Sequence, residues 1–328
     1  MRRLLTLAIA LTTVITACAD DRDAKRAPTK AHVVIAETDI EDAGARRLRI
    51  TGDWLAAGEG AMWLSGTDAI YRLDPATGRR QATIDLPAGP CEATDTGFGA
   101  IWTATCNDLG LVRIDPATNR VSGRVKLPIP QSLDGEGSIG AGAGGVWLVV
   151  DARGCTACRV ARIDPWTLRV TARVAVREGS AAVRAGEGSV WVTNPDHDMV
   201  QQIDPAALEV ARTIGTGPAP RFLDVGEGAA WTLNQLDGSV TRIDAATGKS
   251  MEIEAGVAGE GGDLTVGGGS VWARGSRWLL TRIDPRSNEV TARYGPESGS
   301  GAVIVGSGAI WISAHDIHAV WRLPLDQR

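Results

Sequence analysis

The sequence predicts an all-β fold, a seven-bladed β-propeller, in which one unit of about 40 residues is repeated seven times. Two observations predict it. First, tryptophan recurs at gaps of 39, 45, 44, 40, 41 and 39 residues, with one glycine five residues before each tryptophan and another three residues before it. Second, the intervening sequence is rich in β-forming and turn-forming residues. The repeated tryptophans are Trp63, Trp102, Trp147, Trp191, Trp231, Trp272 and Trp311.

Each unit reads as four antiparallel strands, as the fifth unit illustrates. Residues 222–225 are short and apolar, as expected of an innermost strand, and the glycines of Gly226-Glu227-Gly228 suit a tight turn. Residues 229–233 and 239–244 are predicted to form the second and third strands, and the charged residues 249–254 an exposed outer strand. We expect the repeated tryptophan to fill the space between neighbouring blades, because a large flat apolar side chain suits two facing sheets.

The third strand of most units ends in Arg-Ile-Asp-Pro or a close variant, which predicts a turn into the outer strand. Proline presets φ at the second turn position, and the aspartate before it accepts hydrogen bonds from turn N–H groups. Because the motif recurs around the ring, we interpret these aspartates as structural and not as catalytic or metal-binding groups. The motif occupies residues 72–75, 113–116, 162–165 and 282–285, with variants at 202–205 and 242–245.

The seventh unit supplies only three strands, at 302–305, 310–313 and 319–323. Residues 47–50 precede the first unit and align with outer strands such as 291–294. We therefore expect Arg47 to Thr51 to supply the outer strand of the last blade. Such a strand closes the ring without a covalent bond and hides the sheet edges. The propeller is thus predicted to span residues 45–328.

The first 18 residues, 1–18, read as the export signal of a bacterial lipoprotein. Arg2 and Arg3 form a charged start, residues 4–15 are apolar but short for a membrane span, and Ile-Thr-Ala-Cys at 15–18 resembles a lipobox. In such proteins the cysteine is acylated, so Cys18 is the predicted lipid attachment site and a lipid bilayer is one predicted partner. The alternative is an ordinary signal peptide in which the cysteine occurs by chance.

Composition narrows the location and the partners further. The chain has 328 residues, 44% of them apolar, and a net charge of −5. This length suits one large closed β domain, and the lack of a basic excess argues against nucleic acid as a partner. Residues 19–44 are charged and poor in core-forming residues, which predicts a flexible tether. We expect a monomer, exported and anchored in the bacterial cell envelope.

Export would place the four remaining cysteines in an oxidising compartment. Cys91 and Cys106 flank one Gly-x-Gly turn, and in a simple hairpin they lie opposite each other, so we predict a disulfide between them. Cys155 and Cys158 form a Cys-x-x-Cys in a predicted loop. We interpret this second pair as a small structural disulfide. A metal clip is the alternative, although the local sequence offers no further ligands.

With this repeat established, the chain resembles the virginiamycin B lyase-like and YVTN-type seven-bladed propellers of bacteria. The resemblance covers about residues 45–325 and rests on the Gly-x-Gly…Trp element, as at 186–191, and on the Arg-Ile-Asp-Pro element. It implies the propeller architecture. The streptogramin lyases of this group commonly carry Trp-Phe-Thr-Glu at the repeated tryptophan and use a histidine base with Mg²⁺ on one face. That string does not occur here, so the lyase chemistry is not carried onto residues of this chain.

Function is expected where the repeats differ, and they differ most in the loops between the second and third strands. In a propeller these loops share one face with the connections that enter the innermost strands. The opposite face carries the uniform Gly-x-Gly and Asp-Pro turns. The predicted ligand-binding face is formed by Asn107, Asp108, Asn194, Asp196, His197, Asp198, Asn234, Gln235, Asp237, Arg274, Arg277, His315 and Asp316.

Three histidines map to this face, His197, His315 and His318, and they are the candidate catalytic bases. Their neighbouring aspartates make two metal-capable groups, at 196–198 and 315–318, although solvated polar loops are the simpler interpretation.

Two classes of function follow. The first is a binding scaffold that engages an envelope protein, peptide or polymer and needs no cofactor. The alternative is a lyase that uses a histidine base with Mg²⁺ or another divalent metal. A histidine close to two carboxylates at the mouth of the central channel would favour the lyase.

Overall fold

Seven sheets, six of them wholly antiparallel, form a closed ring in the computed structural model. The structure describes residues 35–91, 94–105, 107–108, 110–127, 139–150, 158–257 and 261–325. Each innermost strand contacts the innermost strand of the next sheet, and the seventh contacts the first. The predicted seven-bladed propeller is therefore confirmed.

Two short strands precede the first blade. The remaining strands follow in the order innermost, second, third and outer in blades one to six, and innermost, second and third in blade seven. The strands are β1 (Glu37–Asp39), β2 (Arg46–Leu48), β3 (Leu55–Gly58), β4 (Ala61–Ser65), β5 (Ala69–Leu73), β6 (Arg80–Asp85), β7 (Asp95–Gly97), β8 (Ala100–Thr105), β9 (Gly110–Asp115), β10 (Arg120–Lys126), β11 (Gly140–Gly142), β12 (Gly145–Val150), β13 (Arg159–Ile163), β14 (Val170–Ala175), β15 (Val183–Gly186), β16 (Ser189–Asn194), β17 (Met199–Asp204), β18 (Glu209–Gly215), β19 (Pro220–Gly226), β20 (Ala229–Asn234), β21 (Val240–Asp244), β22 (Ser250–Ile253), β23 (Asp263–Gly267), β24 (Ser270–Arg274), β25 (Leu280–Asp284), β26 (Glu289–Gly295), β27 (Val303–Gly306), β28 (Ala309–Ala314) and β29 (Ala319–Pro324). Two 3₁₀ turns, Pro195–His197 and His315–Ile317, join the second and third strands of blades four and seven.

The repeated tryptophans pack between blades, as predicted. Each is at most 3% exposed. Trp63, for example, lies on the second strand of blade one and packs against Ile101, Val112 and Ile114 of blade two. In six of the seven blades the indole N–H also donates to the carbonyl of the glycine five residues earlier, at 3.0 to 3.2 Å. The glycine and the tryptophan of the motif are thus one interaction across the first hairpin of the blade.

The two repeated motifs are also joined to each other. The arginine of Arg-Ile-Asp-Pro lies directly opposite the tryptophan across the second and third strands, as Arg72 does for Trp63. In four blades its guanidinium stacks over that tryptophan ring, and in blade seven the equivalent Arg322 does the same, 5.4 to 5.8 Å from the ring centre. Blade four replaces this arginine by Gln202, which stands opposite Trp191. The stack is favourable because the ring face is electron-rich.

The Asp-Pro turns have the predicted structural role. Asp74 Oδ1 accepts hydrogen bonds from the N–H of Ala76, at 3.1 Å, and from the N–H and hydroxyl of Thr77, at 2.7 and 2.8 Å. These bonds, with those of Thr77 foremost, hold the pKa of Asp74 below its usual value. The same turn is repeated at Asp164.

The ring is closed by the N-terminal strand. β2 pairs antiparallel with β29 and is the outer strand of blade seven. The paired residues are Arg46–Leu48, whereas the sequence predicted Arg47 to Thr51. The pairing ends at Leu48 because Arg49 to Thr51 already turn inward towards β3, the innermost strand of blade one.

The prediction that residues 19–44 form a flexible tether is partly wrong, because the last residues of this segment belong to the propeller. β1 pairs in parallel with β26 and adds a fifth strand to blade six. Ile40, which follows β1, is fully buried beside Leu279 and Trp321. The sequence does not predict β1 because this strand is polar and exposed. It is held in place by backbone hydrogen bonds and by one apolar side chain, that of Ile40. The signal segment 1–18 and the tether residues 19–34 lie outside the described residues.

Across the described ranges, no helix is long and apolar enough to span a bilayer.

Removal of the closing strand should destabilise the ring. Deletion of residues 1–52 strips β29 of its outer partner and uncovers the Ile40 and Leu48 contacts, so we expect a lower melting temperature and aggregation. Deletion of residues 1–34 is the matched control, because it leaves β1 and β2 in place. Melting curves and size-exclusion chromatography compare the two proteins, and equal melting with equal monomer content would contradict the closure.

Candidate functional site

The loops between second and third strands lie on one face together with the connections that enter the innermost strands. We call this the loop face, and its described second-to-third loops are 66–68, 107–108, 195–198, 235–239, 275–279 and 315–318. Alternation of antiparallel strands forces this arrangement, because every second turn in a blade returns to the same side.

His315 lies between two carboxylates on the loop face. Its Nδ1 is 3.3 Å from Asp53 Oδ1, and its Nε2 is 2.7 Å from Asp316 Oδ1. Asp53 precedes the innermost strand of blade one, and His315 begins the 3₁₀ turn of blade seven. The three side chains are 43 to 47% exposed, so the group is accessible to solvent. A histidine near two carboxylates is one part of the sign of a lyase predicted from the sequence, the other being a position at the mouth of the central channel.

The two carboxylates lie on opposite ring nitrogens. A single cation therefore cannot be held by the imidazole and both carboxylates in their present positions. Consistent with this, no cluster of three or more His, Cys, Asp or Glu residues among the described positions is placed to hold a metal ion. The arrangement instead suits an oriented imidazole, with one nitrogen held by a carboxylate and the other available when its partner moves.

A cavity of about 550 Å³ opens beside His315. Its walls are polar and aromatic, and it is accessible from the loop face. The lining residues are Thr51, Gly52, Asp53, Trp54, Ser65, Gly66, Thr67, Tyr71, Pro90, Cys91, His315 and His318. The volume falls within the range of small-molecule and peptide side-chain sites.

A buried arginine interacts electrostatically with both carboxylates that flank His315. Arg274 is fully buried and donates to the carbonyl oxygens of Ser313, Gly299 and Ser300, at 2.7, 2.7 and 3.1 Å. Burial lowers its pKa to about 10, and the carboxylates of Asp263, Asp316 and Asp53 oppose that shift. Arg274 therefore joins blade six to the loops of blade seven.

The mouth of the central channel is narrowed by two aromatic rings. Trp54 of blade one and Phe222 of blade five have ring centres 6.3 Å apart, with planes inclined at 46°. Blades one and five are not neighbours, so this contact crosses the axis of the ring. A ligand on the loop face would meet this aromatic pair next to the His315 cavity.

Inside the ring, the innermost strands carry charged residues that the sequence analysis missed. Asp95, Arg184 and Asp224 occupy the same repeat position, directly opposite the tryptophans of blades two, four and five. Asp263 lies two positions earlier in its own unit. The sequence alone could have revealed these charged residues, because the other four blades have uncharged residues at the shared position: Ala56, Gly140, Thr265 and Ile304.

Each of these carboxylates binds the backbone of the next blade. Asp95 Oδ2 accepts the N–H of Ala141 at 2.8 Å, Asp224 Oδ2 that of Val266 at 2.8 Å, and Asp263 Oδ2 that of Val303 at 3.0 Å. Burial raises the pKa of all three carboxyls, that of Asp263 to about 7, while the charge of Arg184 opposes the rise. These hydrogen bonds link neighbouring blades, although removing the carboxylates from water is unfavourable.

Three residues predicted for the ligand-binding face are structural, which corrects the prediction. Asn194, Asn234 and Arg274 are fully buried. The amide of Asn194 donates to the carbonyl oxygens of Arg177 and Glu178, and that of Asn234 donates to the hydroxyls of Ser239 and Thr241. All three stand at the ends of second strands, where the buried β-strand continues past the residue at which the sequence suggested a loop.

The other two histidines differ in their surroundings. His318 lines the same cavity as His315. His197 lies on blade four, where its Nδ1 is 3.0 Å from Asn194 Oδ1. Blade four contacts blades three and five, so His197 is not part of the His315 group.

The neighbouring aspartates mainly shape their own loops. Asp316 Oδ2 accepts the N–H of Ser300, and Asp198 Oδ1 accepts the N–H of Ala219, each at 2.8 Å. Asp196 packs against Gly179.

The remaining predicted residues are surface groups of the loop face. Asp108 pairs with Arg124 at 3.0 Å, and Asn107 donates to the carbonyl of Ala88 at 2.9 Å. Asp237 accepts from Ser239, Gln235 is half-buried, and Arg277 stacks over Trp278.

Two apolar side chains that the prediction left out are exposed on the same face. They are Leu236, 77% exposed, and Ile317, 41% exposed.

The opposite face is less uniform than predicted. The Asp-Pro turn of blade three carries Trp166, which is 64% exposed and meets Phe98 edge to face with ring centres 6.4 Å apart. The Trp-Thr pair simply fills positions that are Ala-Thr in other turns.

The hairpin that carries Cys91 departs from the predicted register. Asp95 pairs with Trp102 as expected, but Pro90 pairs with Thr105, and the Cys91 N–H donates to the carbonyl of Ala104 at 3.1 Å. Between Asp95 and Pro90 the first strand therefore gains two residues relative to the second. Cys106 and Cys155 lie outside the described residues, so both disulfide pairings stay predictions.

Solved structures of propellers are similar to this chain. A streptogramin B lyase superposes with a TM-score of 0.66 at 17% identity, over 86% of this chain and 97% of that one. Virginiamycin B lyase from Staphylococcus aureus gives 0.68 at 16% identity, over 86% and 99%. BamB from Moraxella catarrhalis gives 0.57 at 12% identity, over 83% and 85%. No family model and no curated protein matches the chain. At these identities the likeness shows the seven-bladed propeller fold alone.

The raised pKa of Asp263 makes stability depend on pH. Between about pH 4 and 7 the folded state keeps a proton that the unfolded state releases, so stability should fall as the pH rises through this window, by at most about 1.4 kcal/mol per pH unit from this group. Asp263→Asn removes the titration and should flatten the profile. Urea unfolding at pH 5 and pH 8 measures it, with Asp237→Asn as an exposed control. A variant profile as steep as that of the wild type would contradict the assignment.

Proposed function

We propose that the protein is a binding module that engages an envelope protein, peptide or polymer through its loop face. The observation that carries the proposal is the cavity beside His315. It lies next to the Trp54–Phe222 contact, and the exposed Leu236 stands on blade five, to which Phe222 belongs. Aromatic and apolar groups surrounded by polar ones are the composition of protein-binding surfaces.

The surface is also held in place before any ligand arrives. Arg274 ties the blade-seven loops to blade six, and Asp198 and Asp316 fix the loops that carry them through backbone N–H groups. A surface that is already ordered loses less conformational entropy on binding.

The anchored location is part of the same proposal. In this proposal Cys18 is acylated, the protein resides in the bacterial envelope, and Cys91–Cys106 and Cys155–Cys158 are disulfides that stiffen loop-face connections. Neither Cys91 nor Cys158 is a free thiol, which supports the pairing.

A lyase is the second candidate, and the His315 geometry favours it. An imidazole oriented by one carboxylate is a competent general base, and the adjoining cavity could admit a substrate. The similar structures include streptogramin B lyase and virginiamycin B lyase by name, at identities that carry only the fold. Against it stands the placement of Asp53 and Asp316 on opposite ring nitrogens, which does not form a metal site.

Loop-face substitutions should abolish partner capture. We expect His315→Gln and Leu236→Ser each to weaken binding of a partner captured from envelope extract by about tenfold or more. The controls Glu227→Gln and Trp166→Ser change exposed residues on the opposite face and should retain the partner. Quantitative mass spectrometry of the captured material, with melting curves for all four variants, makes the comparison.

Two outcomes of these experiments would overturn the binding module. One is equal loss of the partner with both pairs of variants. The other is metal-dependent turnover of a streptogramin or a uronate polymer that disappears in His315→Ala and persists in Glu227→Gln, which would establish the lyase instead.

Export should leave two chemical marks. Labelled palmitate is expected on the wild-type protein and not on Cys18→Ser, because the thiol is the acylated group. Unreduced wild-type protein should yield a linked peptide pair that contains Cys91 and Cys106, for which the closed loop predicts about 3 kcal/mol of stabilisation. Palmitate that persists in Cys18→Ser, or free thiols at both positions, would contradict the respective part.

A further inference from the structure

A second cavity lies on the outer edge of the ring between blades seven and one, and it adjoins the His315 cavity, with which it shares Thr51, Tyr71 and His318. Its volume is about 730 Å³. One wall is β2 with the residues that follow it, and the other is the Asp-Pro turn of blade one with the start of β6. The lining residues are Arg46, Arg47, Leu48, Arg49, Ile50, Thr51, Tyr71, Thr77, Gly78, Arg79, Arg80 and His318. We call this cavity the arginine groove.

The arginine groove concentrates positive charge in an acidic chain. Five of its twelve lining residues are arginines and none is acidic, whereas the chain has a net charge of −5. Within the part of the chain that the structure describes, no carboxylate lies within 4 Å of any of these five guanidinium groups, and the one carboxylate recorded as attracted to them is Asp74, whose pKa the charge of Arg79 helps the Thr77 hydrogen bonds to lower. Like charges gathered in one groove repel each other, and an anionic ligand would relieve that repulsion.

Several contacts hold the guanidinium groups without using up their donors. Arg47 stacks over Trp321 with its guanidinium carbon 5.5 Å from the ring centre, and Arg80 stacks over Tyr71 at 5.2 Å. Stacking engages the flat face of a guanidinium and leaves its edge N–H groups free to bind. Arg46 gives one bond to the carbonyl of Thr77, which fixes it across the groove.

The floor of the groove is apolar and closely packed. Leu48 is buried beneath Gly78, whose φ is +69° and where a Cβ would come within 2.6 Å of Leu48. Gly78 is therefore required at this turn, both for its backbone conformation and for the approach of Leu48. A rigid floor with cations along both walls holds the charges at fixed spacing.

From this geometry we infer that the arginine groove is a binding site for a phosphate-bearing ligand. Phosphate carries up to two charges on one group, and its oxygens accept from several forked donors at once, which matches arginines converging from two walls. A soluble phosphate compound and the headgroup of a phospholipid share this chemistry. The site does not depend on the proposed loop-face function, since its arginines are not among the residues assigned to that function.

Calorimetric titration of the full chain with pyrophosphate tests the site. We expect saturable binding that weakens with added salt. The variant Arg49→Gln/Arg79→Gln/Arg80→Gln should lose affinity by about tenfold or more. The variant Arg120→Gln/Arg169→Gln/Arg173→Gln removes the same charge from exposed positions on blades two and three, and it should bind as the wild type does. Arg49→Gln/Arg79→Gln keeps the Arg80–Tyr71 stack and should show the same direction of effect if the triple variant folds poorly.

A vesicle arm identifies the source of the phosphate. Sedimentation with phosphatidylcholine vesicles, with and without phosphatidylglycerol, is measured for the wild type, the groove variant and the control variant. Because the N-terminal segment is the same in all three proteins, its contribution cancels in the comparison between the variants. A phosphatidylglycerol-dependent gain that the groove variant loses and the control variant keeps supports a lipid headgroup. Pyrophosphate binding without that gain supports a soluble ligand. Equal behaviour of the groove and control variants in both arms, or citrate binding as tight as pyrophosphate, would overturn the inference.

Discussion

The propeller depends on one repeated contact, the buried tryptophan that bonds the glycine of its own blade and packs against the next blade. The indole N–H satisfies a carbonyl at the first hairpin, and the ring fills the space between two sheets. The arginine opposite it covers the same ring and leads into the Asp-Pro turn. In blades one, three, five and six, glycine, tryptophan, arginine and aspartate therefore form one connected unit, and the remaining blades keep the buried tryptophan that sets their spacing.

Much of this could be predicted from the sequence because it repeats. Each Gly-x-Gly turn, each inter-blade tryptophan and each Asp-Pro turn was seen several times, so the pattern stood out against chance. The closing strand was also predicted, although it begins one residue earlier and ends three residues earlier than expected. Features that occur only once in the chain were not predicted. β1 is attached by backbone pairing and Ile40, and neither leaves a periodic signature in the sequence.

The candidate site was predicted less well, for a physical reason. Position in a loop does not reveal whether a side chain points outward. Asn194, Asn234 and Arg274 were predicted to lie on the surface, yet they are buried. Their polar groups form hydrogen bonds with buried backbone and side-chain partners, and such bonds are what makes the burial of a polar group tolerable. Conversely, Asp53 lies before the first blade and 262 residues from its partner His315, a distance in sequence that no local motif bridges. The charged residues of the innermost strands could also be read from the sequence. They depart from the repeat in single blades, however, and the fold prediction rested on the positions that are the same in every blade.

Closure of the last blade by both ends of the chain has a consequence for how the protein is made. β2 is among the first strands to be synthesised and β29 among the last, so this pairing joins residues separated by nearly the whole chain. Contacts of such sequence separation form late, because the loop between them must be ordered first. Until the final residues arrive, blade seven lacks its third strand, and β2 has no strand to pair with. A chain that emerges through a pore from its N-terminus thus carries an open ring, with two uncovered edges, for the entire time of its passage.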